Sequence, residues 1–287
     1  MSRILLIENN AADFLNARMD WANYLISKGH TVAALIPSNK GKDFELPTHI
    51  TFYWYDYQKY RRGIKDWMNY ISQFKRVIKI FNPAIIHSYR FHANVINWLA
   101  NLINRKKLIF HITGLGVFFS KENMMSFYYR LIIRLLYFGM ILRASMLIVQ
   151  NENDCKVISI YGWFSRKVQL VKGSGVNVHK FKRDTVLRTV TRAEMGIEGR
   201  ETIFIMVTRL LWEKGIRELV EAFSELPHQL WIVGEPDEDN PSGVSASFVN
   251  QSNQRENVSF LGYKSDVPAL LNAADVFIYP SYYAEGI

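Results

Sequence analysis

Short apolar runs alternate with amphipathic stretches along almost the whole of this 287-residue chain, and that rhythm leaves few folds open. Ile4–Glu8, Thr31–Ile36, Ala84–His87, Lys107–Ile112, Met146–Gln150 and Lys167–Val171 read as strands. Between them Asp13–Lys28, Ile64–Phe81, Asn94–Ile103, Met124–Leu142 and Glu152–Tyr161 repeat their apolar residues at helical spacing. Leu15, Met19, Ala22, Leu25 and Ile26 make the clearest such stripe, and Gly29 stops that helix as a C-terminal cap. Apolar strands that take turns with helices specify parallel sheets covered on both faces. The predicted fold class is therefore α/β and doubly wound.

The loop Lys172-Gly173-Ser174-Gly175 and the irregular stretch Asn177–Leu187 interrupt the rhythm, which then restarts. Strands Ile203–Val207, Gln229–Val233, Val258–Leu261 and Val276–Tyr279 are interleaved with helices Lys214–Glu225, Ser245–Gln251 and Val267–Ala273. Two Rossmann-like parallel-sheet domains are expected, 1–172 and 173–287, the second reading as incomplete because no helix follows its last strand. A lone cysteine, Cys155, excludes a disulfide framework and a cysteine zinc site, and fits a reducing cytosol. The apolar run Leu135–Leu142 lies between Arg134 and Arg143 and is too short to span a bilayer.

Charge divides along the same boundary. Residues 1–172 carry 24 Lys and Arg against 10 Asp and Glu, a net +14, whereas residues 173–287 carry 11 against 16, a net −5. A basic half draws anionic surfaces. Tyr53, Trp54, Tyr55, Tyr57, Tyr60, Trp67 and Tyr70 are interleaved with Lys59, Arg61, Arg62 and Lys65, a mixture that a membrane interface favours. In the apolar segment 127–142, Arg130 and Arg134 stand one helical turn apart. These features predict docking of the first domain on an anionic membrane surface. No helix-turn-helix, zinc-finger or RNP-type signature accompanies the charge, so no nucleic-acid partner is expected.

Ligands in such folds sit at loops leaving the carboxyl ends of strands. The first of these, Glu8-Asn9-Asn10-Ala11-Ala12-Asp13, has no glycine, which excludes a nicotinamide-type fingerprint, and no Walker A loop occurs. Thr208-Arg209-Leu210-Leu211-Trp212-Glu213-Lys214-Gly215 sets a guanidinium and an ammonium just before a helix. Such a pair suits a diphosphate. Asp237-Glu238-Asp239 offers carboxylates for a metal, but the Arg209 and Lys214 cations can neutralise a bound diphosphate without one, so no metal and no cofactor is expected.

These segments, with Gly234-Glu235-Pro236-Asp237, Phe260-Leu261-Gly262-Tyr263 and Tyr279-Pro280-Ser281-Tyr282-Tyr283-Ala284-Glu285-Gly286, together resemble the retaining family 4 glycosyltransferases of the GT-B fold. The likeness is to bacterial enzymes acting on undecaprenyl-diphosphate-linked or other surface-polysaccharide acceptors, and Ile112-Thr113-Gly114-Leu115-Gly116 and Gly173-Ser174-Gly175-Val176 fit that subgroup. The resemblance implies that Arg209 and Lys214 hold the diphosphate of a UDP-sugar and stabilise its departure. It implies that Glu285, the first glutamate of an E-x7-E motif, contacts the transferred sugar; the second would fall beyond Ile287. Gly286 and Ile287 would face sugar and phosphates, and Gly262 and Tyr263 the nucleobase.

His87, Arg90, His111, Thr113 and Gly114 are candidate contacts for a lipid-diphosphate-linked or other glycan acceptor. Thr113 stands where many members have histidine, and strand alternation puts His111 on the same face. The enzyme implied is a cytoplasmic hexosyl or N-acetylhexosaminyl transferase, peripheral on the inner face of the membrane. A non-catalytic sugar-nucleotide binder and a basic nucleic-acid-binding protein stand as alternatives.

Overall fold

The computed structural model describes residues 1–38, 46–57, 63–114, 127–159, 165–173, 175–197, 199, 201–237 and 240–282. Its chain forms two compact units, one running from Met1 to Val176 and the other starting at Asn177. Each is a parallel sheet with helices, the α/β class expected from the alternation.

The first unit runs β1 (Arg3–Ile7), α1 (Ala11–Ala17), α2 (Met19–Ser27), β2 (Thr31–Pro37), β3 (Thr51–Tyr55), α3 (Ile64–Phe81), β4 (Ile85–Tyr89), α4 (Phe91–Ala100), β5 (Lys107–Ile112), α5 (Phe127–Arg143), β6 (Met146–Val149), α6 (Glu152–Ser159) and β7 (Val168–Leu170). Its seven strands lie in the order β3-β2-β1-β4-β5-β6-β7. The order reverses between β1 and β4, and the crevice at such a reversal is where open α/β sheets bind ligands. One face of the sheet packs through Leu5, Ile7, Ile86, Phe110 and Leu147 against Phe74 of α3, Val95 of α4 and Ile141 of α5. On the other, Ile4, Leu6, Val32 and Ala34 meet Phe14, Ala22 and Leu25 of α1 and α2.

Local chemistry sets the helix ends. Gly63 N–H donates to the Asp66 carboxylate at the start of α3. Asn82, at φ +45°, closes that helix immediately before Pro83. α5 comes close to α4 at Gly139, where any β-carbon would overlap the Trp98 ring.

Three elements differ from the sequence reading. The helix expected over Asp13–Lys28 is two, broken at Arg18, whose buried side chain turns back to Glu8. Thr51–Tyr55 is a strand beside β2, and of its aromatic residues only Trp54 is exposed. Tyr55 and Tyr70 are buried in the core, Tyr55 edge-on to Phe74, while Tyr53 and Tyr57 are partly buried against it. Of the aromatic and basic residues assigned to an interface, Lys59, Tyr60, Arg61 and Arg62 lie outside the described residues. Thirdly, the irregular stretch Asn177–Leu187 leads into a helix, α7 (Thr185–Glu194), capped by the Asp184 carboxylate accepting from Leu187 N–H.

The second unit continues with β8 (Ile203–Val207), α8 (Ile216–Ala222), β9 (Gln229–Val233), α9 (Ala246–Ser252), β10 (Val258–Gly262), α10 (Val267–Ala273) and β11 (Val276–Phe277). Its strand order is β10-β9-β8-β11, reversing between β8 and β11. Arg188 of α7 donates to the Asn272, Ala273 and Ala274 carbonyls and pairs with Asp275, tying α7 to the end of α10.

Candidate functional site

In the second unit the loops after β8 and β11 adjoin at the strand reversal. The β8 loop is fastened by its backbone: Thr208 N–H donates to Val233 O (3.0 Å), Trp212 N–H to Ser242 O (2.9 Å) and Val244 N–H to Leu210 O (2.9 Å). Gly234, at φ +154°, lies so close to Thr208 that a β-carbon would overlap the Thr208 carbonyl oxygen. Gly215, at φ +75°, ends the turn that carries Lys214, and Pro280 occupies the space where its side chain would be. Both positions need glycine for conformation and for room.

Lys214 is only 5% exposed, and its ammonium donates to the Tyr279 hydroxyl at 3.2 Å while lying 5.7 Å from that ring's centroid. The β11 loop closes on the same turn through Tyr282 N–H to Glu213 O (3.2 Å) and Tyr282 Oη–H to Trp212 O (3.2 Å). Arg209 is exposed in the same loop, and among the described residues no carboxylate pairs with it. One cation is thus held and buried, the other presented. Gly262 ends β10 and accepts from Gly234 N–H at 3.0 Å; Tyr263 beyond it is exposed. Glu285, Gly286 and Ile287 lie outside the described residues, as do Glu238 and Asp239. Tyr279 is the site residue the sequence reading passed over: it stood inside the quoted motif, and its role appears only once β11 lies beside β8.

A second polar cluster sits at the strand reversal of the first unit. Glu8, just after β1, is fully buried. Its carboxylate accepts from Asn9 N–H at 3.0 Å and from Arg18 Nε at 3.3 Å, and lies 3.5 Å from Arg90 Nε. Arg90 also pairs with Asp13 of α1 at 2.5 Å. Arg18 lies 4.2 Å over the Tyr89 ring. Tyr89 is hydrogen-bonded in register with His111, which puts His87, Tyr89 and His111 on one face of the sheet. Their rings stack, His87 on Tyr89 at 4.3 Å and on His111 at 5.7 Å, 8° from parallel.

His87 lies in β4, within the strand expected over Ala84–His87, and is buried. Burial holds its imidazole well below the usual histidine range, aided by His111, and pushes the His111 imidazole down to about 3. Both are neutral near pH 7. Among the described residues His87 Nε2 and both His111 ring nitrogens have no hydrogen-bond partner, although buried. Burial likewise raises the Glu8 carboxyl above its ordinary value, against the lowering effect of Arg90 and Arg18. Thr113 is half-buried and Gly114 exposed just beyond β5; Leu115 and Gly116 lie outside the described residues.

Arg90 has φ +68° and ψ +162°, a region almost confined to glycine. Two bonds to one oxygen hold it there: Arg90 N–H and Asn94 Nδ2 both donate to His111 O at 3.0 Å. Ser88 Oγ–H then donates to Asn94 Oδ1 at 2.7 Å.

Two family profiles match the chain, Glycosyl transferase 4-like over residues 3–151 and Glycosyl transferases group 1 over residues 188–287. Over 213 residues the chain is 29% identical to the N,N'-diacetylbacillosaminyl-diphospho-undecaprenol alpha-1,3-N-acetylgalactosaminyltransferase of Campylobacter jejuni, covering 72% of this chain and 55% of that protein. The chain therefore spans about half the length of this curated relative. Sucrose-phosphate synthase from Thermosynechococcus elongatus matches all of this chain over 77% of its own, with a TM-score of 0.78 at 19% identity. HepE from Anabaena, solved with UDP and glucose, likewise matches all of this chain over 76% of its own, with a TM-score of 0.74 at 17% identity. Likenesses at that identity speak to the fold alone.

Proposed function

Because the chain belongs to the glycosyl transferase 4-like family, we propose that it moves a sugar from a UDP-sugar to a lipid-diphosphate-linked or surface-polysaccharide acceptor with retention of configuration. The observation that carries this reading is that one loop at the strand reversal carries both Arg209, exposed, and Lys214, on a glycine-ended turn and hydrogen-bonded to Tyr279. A diphosphate leaving group accumulates charge as the bond to the sugar breaks, and fixed cations stabilise it without reorganising. The acceptor hydroxyl attacks the anomeric carbon on the face the diphosphate leaves and gives its proton to the leaving phosphate oxygen. Catalysis is then positioning plus charge stabilisation, about 2–4 kcal/mol for either cation, and no metal is assigned a part.

The polar cluster of the first unit receives the acceptor. Its buried imidazole nitrogens and the Arg90 fork supply donors and acceptors for hydroxyl and phosphate oxygens. The acceptor of the Campylobacter relative, by its name, is a diphospho-undecaprenol, which supports a lipid acceptor met at the inner face of the cell membrane. Incubation with a panel of UDP-sugars and a short-chain polyprenyl-diphosphate-linked sugar, followed by chromatography and NMR of the anomeric proton, tests the reading. UDP binding without transfer to any acceptor would favour the non-catalytic alternative.

A further inference from the structure

Resting on the acceptor assignment above, we propose that Glu8 is a positioning residue that aims the Arg90 guanidinium at a phosphate of the acceptor, with Asp13 as the resident counter-ion which that phosphate displaces. Three observations support it. Glu8 is an ion buried without access to water, a costly placement that persists only with partners on every side. Arg18 and the Asn9 N–H fix its carboxylate, and Tyr55 Oη–H donates to its backbone carbonyl at 3.3 Å. Arg90 is held in a backbone conformation that disfavours any side chain, and strain of this kind marks sites where a group must be placed. The two carboxylates on Arg90 are unequal: Glu8 is sealed in the interior, while Asp13 and Arg90 have side chains 36% and 39% exposed. Glu8 holds Nε from the buried side, and Asp13, at Nη2, is the partner that solvent reaches.

A phosphate offers more charge and more acceptor oxygens than a carboxylate, and it matches the planar fork of arginine. It therefore competes with Asp13 at Nη2 while Glu8 keeps Nε occupied. Without Glu8 the guanidinium would be free to swing toward Asp13 and solvent.

The probe is inorganic pyrophosphate, titrated calorimetrically into the whole chain with UDP saturating, so that the cations of the second unit are already occupied. Glu8→Gln, which keeps the shape and loses the charge, should weaken pyrophosphate binding at least tenfold. Arg90→Lys, which keeps the charge and loses the fork, should weaken it comparably. Asp13→Asn, at the exposed edge, should tighten it several-fold, an effect that a merely structural role would not produce. The Asp13 and Arg90 variants keep the test alive if Glu8→Gln fails to fold. Unchanged affinity in both Glu8→Gln and Arg90→Lys, weaker binding in Asp13→Asn, or no pyrophosphate binding by the parent chain would each overturn the proposal. UDP affinity, measured separately, should be the same in all three variants; failure of the parent chain to bind UDP counts against the transferase reading instead.

Discussion

Arg209 and Lys214 do the same electrostatic work from different surroundings, and their variants should differ accordingly. Arg209→Ala removes an exposed guanidinium and leaves the loop's backbone bonds in place, so UDP affinity should fall about 10- to 100-fold with no change in stability. Lys214→Ala should lower UDP affinity by a similar factor and also cost stability, because it empties a buried position and removes the hydrogen bond to the Tyr279 hydroxyl. Tyr279→Phe isolates the bracing contact: the ammonium stays but its hydroxyl partner goes, and a loss of only a few-fold is expected. Calorimetric titration of UDP into the three variants, beside their melting curves, checks this; affinity for UDP equal to the parent's in all of them would remove the diphosphate site. The two cations were legible because residue type and spacing before a helix are visible in sequence. Tyr279 was not, since it lies 65 residues from Lys214 and meets it only through sheet topology. Glu8 was hidden for the same reason, as the absence of glycine beside it says nothing of two arginines arriving from elsewhere.

At the scale of elements, period alone gave the buried strands and most helices, and it failed where tertiary contacts override local preference. The apolar stripe runs unbroken across Arg18, yet the helix breaks there so that Arg18 can reach Glu8. Thr185–Glu194 contains three threonines and two valines, weak helix formers, and is held by Arg188 and Arg192, which donate to carbonyls at the end of α10. Tyr53 and Tyr55 look interfacial until they pack in the core shared with Phe74 of α3, whereas Trp54 stays exposed. Strands β4 and β5 also set a pH dependence. Their histidines stay neutral when folded but take up protons when unfolded, so the unfolded chain binds more protons below about pH 6.5. Stability should therefore fall as pH drops from 6.5, by about 1.4 kcal/mol per unit for each histidine. Glu8 acts in the opposite sense, since its raised folded value favours the protonated native state from above 4.5, and it offsets part of this loss. Denaturant unfolding of His111→Phe, which keeps the ring stack, should show a shallower slope between pH 7.5 and 5.5. An identical slope in parent and variant would place the acid sensitivity elsewhere.

Across the whole molecule the charge is lopsided, +14 on residues 1–172 and −5 on the remainder, and this division bears on which surfaces the chain meets. Among the described residues no helix is long and apolar enough to cross a membrane. The burial of Tyr55 and Tyr70 removes part of the aromatic argument for docking, but α5 supplies a better one. Leu131, Ile132, Leu135, Phe138 and Leu142 are exposed, and at helical spacing they line a single face bordered by the exposed Arg134. An apolar face with a cation at its rim on a basic unit has the chemistry of a helix lying in an anionic interface. Each basic residue near such a surface adds about 1 kcal/mol, and the apolar face adds its own burial. Co-sedimentation with vesicles should therefore show binding to anionic lipid that weakens with salt and little binding to neutral lipid. Leu135→Glu sets a charge in the centre of the exposed face, where Leu135 is 59% exposed, so it should reduce vesicle binding at least tenfold while leaving UDP affinity alone. Binding that is equal for both lipids and indifferent to salt, or undiminished in Leu135→Glu, would mean that this face serves something other than a bilayer.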